Sequence, residues 1–104
     1  MNIRELQSEA KHLQDWKWPE DKNNIDAAFK KFIEEVGELS KALNYESTLD
    51  IGYEMADVLL TLLGLAARCD IDVQSMTTAK WQIVKDRLGY TEAMKQPWEQ
   101  LSLT

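Results

Sequence analysis

The stretch from Tyr53 to Ala67 constrains this 104-residue chain more than any other. Met55, Ala56, Val58, Leu59, Leu60, Leu62, Leu63, Leu65, Ala66 and Ala67 fill it almost continuously. Read as a helix it is apolar nearly all round, which predicts a buried helix. The exceptions are Glu54, Asp57, Thr61, Gly64 and Arg68, spaced 3, 4, 3 and 4 apart, so they form one narrow polar seam. Asp and Glu are almost never buried unless paired. The two acids at the head of the seam therefore require a cation, a metal ion or a basic side chain. Arg68 belongs to the same seam, but it lies about three turns from Asp57 at 1.5 Å per residue. It cannot neutralise them within its own helix.

A second acidic segment precedes this one. In Ile33-Glu34-Glu35-Val36-Gly37-Glu38-Leu39, Glu35 and Glu38 are three apart, like Glu54 and Asp57. Residues at that spacing share a helical face. Taken alone, the segment also fits a solvated, salt-bridged face, because Lys30/Glu34 and Lys31/Glu35 have i,i+4 spacing. Only Asn44 to Thr48 separates the two helices, so they are expected to be antiparallel neighbours. Glu38 lies about five residues before that turn and Glu54 about six or seven after it, depths that match to about one turn. Four converging carboxylates are the expected site of a hard divalent cation, which takes oxygen ligands and keeps water for phosphates to displace. The expected metal set is Glu35, Glu38, Glu54 and Asp57.

The rest of the chain reads as helices around this pair. Ile3, Leu6, Ala10 and Leu13 make an apolar stripe over residues 2–16, with the lone His12 beside it as a surface or boundary residue. Trp16-Lys17-Trp18-Pro19 leads into a loop. A tryptophan there either caps the open end of the bundle or stacks on a nucleobase; Trp16 is the candidate because it continues the stripe. A second helix is expected over 25–43, capped by Asn23 or Asn24, with Ile25, Phe29, Phe32, Val36, Leu39 and Leu43 as its core face. Glu35 falls beside that face and Glu34 nearly opposite it. Gly37 suggests the close approach of another helix. A third helix is expected over 47–69 and a fourth over 72–88. On the fourth, Lys80 and Arg87 are seven apart and share a face. That suits a polyphosphate or, equally, a solvated basic stripe. Residues 90–104, with Pro97, Trp98 and Leu101, read as a tail that packs over a groove or a neighbour.

Composition narrows the function. A net charge of −6 excludes a general nucleic-acid binder, which needs a basic face. It also means that an anionic substrate must be attracted locally. Cys69 is the only cysteine, so no internal disulfide forms; at the end of a buried helix it reads as a small apolar filler. The N-terminus lacks a signal peptide's apolar run, and no stretch is long enough for a membrane helix. The expected location is cytoplasmic. There is no Gly-rich phosphate loop and no nucleophile–base constellation.

The pattern Glu34-Glu35-x-x-Glu38, then Glu54-x-x-Asp57, resembles the MazG-like all-α nucleoside triphosphate pyrophosphohydrolases, as do Ala66-Ala67-Arg68-Cys69-Asp70-Ile71-Asp72, Lys80 and Arg87. The resemblance covers about residues 25–90. It implies an all-α, four-helix bundle-like protomer in a single domain, residues 1–104. It implies Mg²⁺, with Mn²⁺ able to stand in, and cleavage of nucleoside triphosphates to the monophosphate and pyrophosphate. It assigns phosphate binding to Lys80 and Arg87. Glu34 is then the candidate that positions or deprotonates the attacking water. The family often has a polar residue where this chain has Ile83. Three other short helices can hardly cover every side of the third. That coverage problem and the resemblance both lead to a homodimer or a dimer of dimers. Two alternatives stand beside this expectation. One is phosphoribosyl-ATP pyrophosphohydrolase, whose pattern usually has a His shortly after Glu-x-x-Asp, where this chain has Leu59 to Leu62. The other is a non-catalytic adaptor whose acidic face binds a basic partner.

Overall fold

A computed structural model describes residues 1–91 and 93. The predicted tail falls almost wholly outside the described residues. Four helices carry the chain: α1 (Ile3–Lys17), α2 (Ile25–Tyr45), α3 (Thr48–Arg68) and α4 (Val73–Leu88), with a one-turn 3₁₀ helix at Pro19–Asp21. No strand occurs among the described residues. The fold is all-α, as expected.

Each helix start has a local cause. Asn2 and Asn24 accept, through Oδ1, the amides of Glu5 and Ala27 at 2.8 and 3.0 Å. Ser47 Oγ accepts from the Asp50 amide at 3.3 Å and donates to the Asp50 carboxylate at 2.9 Å. The α3 helix ends where Asp70 turns left-handed at φ 55°, letting the Ile71 amide bond back to Ala66 O at 2.9 Å. Gly89, at φ 66°, closes α4 in the same way through Tyr90 and Lys85 O.

The chain divides into two compact units, residues 1–74 and 75–104. In the first, two residues join α2 to α3, and the two helices pack closely along one another, so α3 runs back antiparallel to α2. The α1 helix lies against α3. The second unit contains most of α4, where the Trp81 and Tyr90 rings meet at 6.2 Å between centroids.

The core of the first unit departs from the expected stripes. Its buried apolar residues are Ala10, Ala28, Ala42, Leu63 and Ala66. The α2 helix turns Ala28 and Ala42 inward, while Ile25, Phe29, Val36 and Leu43 of the expected core face are exposed. The α1 helix buries Gln7 and Ala10, and Leu13 is exposed. The α3 helix is not enclosed either: Tyr53, Met55, Leu59 and Leu62 are exposed. Periodicity locates an apolar stripe, but α2 has a neighbouring stripe of smaller residues, and small residues allow helix axes to come closer. The close approach expected at Gly37 is not there, since a Cβ would meet nothing within 4 Å. It occurs at Gly64 instead. Cys69 is exposed rather than a core filler, because it lies at the C-cap, past the last residue of α3. His12 is exposed, as expected.

Candidate active site

The antiparallel register of α2 and α3 brings acids from both helices together. Carboxylate oxygens of Glu35, Glu54 and Asp57 all lie within 4.8 Å of one another. Glu38 stands outside this trio: one turn further along α2, it is exposed and 3.7 Å from the Lys41 ammonium. Its charge still acts on both glutamates. Partial burial, then Asp57, Glu54, Glu38 and Glu34, raise the Glu35 pKa above its ordinary 4.5. Desolvation and the charges of Asp57, Glu46, Glu38 and Asp50 raise that of Glu54. Among the described residues no lysine or arginine forms an ion pair with any of the three.

This donor set suits a hard cation. Three carboxylates offer oxygen ligands only, and their mutual repulsion is what a divalent ion would relieve.

Beside the trio opens a groove of about 490 Å³, lined by Leu13, Gln14, Trp18, Lys31, Glu34, Glu35, Asp57, Leu60 and Thr61. Glu34 therefore shares the groove with Glu35 instead of facing away from it. The groove's tryptophan is Trp18. Trp16 is 77% exposed and is not part of the lining. The Lys17 and Lys31 ammonium groups lie 4.7 and 4.5 Å from the centroid of the Trp18 ring. Lys31 also faces Asp21 at 3.8 Å. Lys80 and Arg87 belong to the second unit, where both are exposed on α4. Ile83 is 50% exposed on the same helix.

Sequence reasoning passed over Gln14 and preferred Trp16 to Trp18. The signal for Gln14 was Gly64, a glycine in a polar seam where no turn requires one.

The sequence profile of the phosphoribosyl-ATP pyrophosphohydrolase family matches residues 3–80, which is 78 of the 104 residues. The chain belongs to that family. It is thus a pyrophosphohydrolase domain of the all-α MazG-like superfamily. No curated protein and no solved structure matches the chain. The match takes in α1, α2, α3 and the start of α4, so every residue of the trio and of the groove falls inside it. Arg87 lies beyond it.

Proposed function

We propose that this chain is a Mg²⁺-dependent hydrolase of (deoxy)nucleoside triphosphates in cytoplasmic nucleotide-pool housecleaning, releasing the monophosphate and pyrophosphate. The observation that carries the reading is the convergence of Glu35, Glu54 and Asp57, with no ion pair to a basic side chain among the described residues, next to a groove with an aromatic wall. These three, joined by the exposed Glu38 one turn further along α2, would hold the metal. Bound there, Mg²⁺ would polarise phosphoryl oxygens and lower the pKa of a bound water. Glu34, in the groove beside Glu35, orients the attacking water and accepts its proton. Lys80 and Arg87 neutralise the departing pyrophosphate. A tryptophan stacks on the base; Trp18 lines the groove for that role, and Trp16 remains open to a neighbouring subunit.

The assembly follows from the exposed faces. Phe29, Ile33 and Met55 are 50%, 49% and 51% exposed, and Leu63 is the only large side chain fully buried among the described residues. A core this small does not support a lone chain. A second copy, in a homodimer or a dimer of dimers, covers these faces. Phe29→Asp is expected to shift the protein to monomers in light scattering.

A second reading is cleavage of phosphoribosyl-ATP, favoured by the family profile and opposed by Leu59 to Leu62 in place of the usual histidine. One experiment separates the readings. The protein is incubated with nucleoside triphosphates and with phosphoribosyl-ATP, with and without Mg²⁺, and pyrophosphate is measured. Pyrophosphate from nucleoside triphosphates, dependent on Mg²⁺, is the expected result. Release of single phosphate refutes the cleavage position. Turnover of phosphoribosyl-ATP alone selects the second reading. Absence of any turnover leaves the adaptor.

A further inference from the structure

The polar seam of α3 continues past the carboxylates, and the chemistry above uses only its first two members. At Gly64 the helix is notched. A Cβ there would overlap the Gln14 carboxamide, so α1 inserts this side chain where α3 has none. One turn on, the Arg68 side chain is 3% exposed. Its Nη1 donates to Gln14 Oε1 at 2.7 Å and to Gly64 O at 3.2 Å, while its Nε donates to Asp21 O at 3.4 Å.

That contact fixes the chemistry of the amide. A guanidinium carries donors and no acceptor. The Gln14 oxygen must therefore face Arg68, and the NH₂ must be the group turned away from it. Among the described residues the NH₂ donates to no other group. Gln14 lines the same groove as Asp57, Thr61 and Trp18. Gly64 is seven residues from Asp57, about 10 Å along the helix. A nucleotide with its phosphates at the acidic end thus has its base at the Gln14 end, beside the Trp18 ring.

We propose that Gln14 is a specificity-determining residue whose NH₂ donates to a carbonyl acceptor on the nucleobase edge, with Arg68 as the positioning residue that keeps the donor outward. The assignment rests on the nucleotide reading of the groove. It makes uracil-like and hypoxanthine-like bases preferred over their amino counterparts. A site that presents a fixed donor rejects a second donor, because both groups are then left unpaired.

The test uses two pairs of ligands that exchange a carbonyl and its adjacent ring N–H for an amino group and a ring-nitrogen acceptor: UMP with CMP, and IMP with AMP. Binding to the full-length protein with Mg²⁺ is measured by calorimetry, and pyrophosphate release is measured with the corresponding triphosphates. The wild type is expected to favour the carbonyl member of whichever pair binds. Gln14→Glu keeps a partner for Arg68 but offers an acceptor, and it is expected to shift the ratio about tenfold toward the amino member. Gln14→Met flattens the ratio. Arg68→Met also flattens it by freeing the amide to turn, and Arg68→Lys restores it. Ratios that stay within about twofold across the wild type and both Gln14 variants overturn the assignment. A base ratio that responds to Gln14 in a protein that releases no pyrophosphate sinks the hydrolase reading and leaves Gln14 standing. Hydrolysis with unresponsive ratios sinks the Gln14 assignment alone. Failure to bind any of the four monophosphates, together with no pyrophosphate from any of the triphosphates, sinks both.

Discussion

The two ends of the α3 seam hold charge in opposite ways. At the Arg68 end acid and base face one another. Asp15 takes the Lys11 ammonium at 2.6 Å and faces Arg68 at 3.6 Å. The hydrogen bond from Lys11, with the nearby cations, holds its carboxyl below the usual 3.8. At the Glu54 end three carboxylates crowd together, none of them ion-paired to a lysine or arginine among the described residues, and two of them are pushed above their ordinary value. One helix thus carries a closed polar network on one part of its length and an open one on the other. A closed network ties elements together; here it joins α1, the 3₁₀ turn and α3. An open one costs stability until a ligand arrives. That cost is what makes the acidic end a site and the Arg68 end a support.

The closed end is where a single substitution should cost most. Arg68→Met leaves Asp15 Oδ1, which is buried and has no hydrogen-bond partner, without the facing guanidinium. Removing one member of a buried charge pair costs about 3–5 kcal/mol, so a large fall in melting temperature is expected. A shift of less than about 4 °C, corresponding to roughly 1 kcal/mol for a domain of this size, would show that the network is ornamental. The open end should respond in the reverse sense. Asp57→Asn is expected to lower kcat/KM for pyrophosphate release by about a hundredfold or more, the loss of a few kcal/mol of metal-dependent stabilisation. The same variant should melt no lower than the wild type without metal, since it removes one of three repelling charges. Unfolding of Asp57→Asn would make Asp57 structural.

The smallest effect lies in the pH dependence. Glu35 and Glu54 titrate above 4.5 in the folded chain. Their favourable contribution is present below that value and is lost as pH rises through the raised folded values. Asp15 has the opposite sign: its contribution is present above 3.8 and is lost as pH falls through the lowered folded value. Without metal, Glu35→Gln should therefore melt close to the wild type near about pH 4 and a few degrees higher at neutral pH. Mg²⁺ should erase that advantage, because the ion stabilises only the ionised trio. A melting difference that ignores both pH and Mg²⁺ would mean the carboxylates are fully solvated.

Much of this was legible from residue spacing. The short connection and the polar seam placed α2 and α3 antiparallel with acids at matching height. Phe29 and Ile25 misled, because a hydrophobic stripe is the same signal whether it faces the chain's own core or another copy. Ala28 and Ala42, fourteen apart, define the inward face of α2, but alanine carries too little hydrophobic area to announce it. Trp16 continued the α1 stripe, yet the helix runs through Lys17 and delivers Trp18 to the groove.

By itself, the sequence determined which side chains share a helical face and which helices must be neighbours, since both follow from 3.6 residues per turn and a two-residue connection. Only the tertiary structure decided the rotation of each helix about its own axis. That rotation is set by which small residues let two helices touch. It is what separates Glu38 from the trio, fits Gln14 into the notch at Gly64 and leaves Arg68 a partner it could not have had within α3.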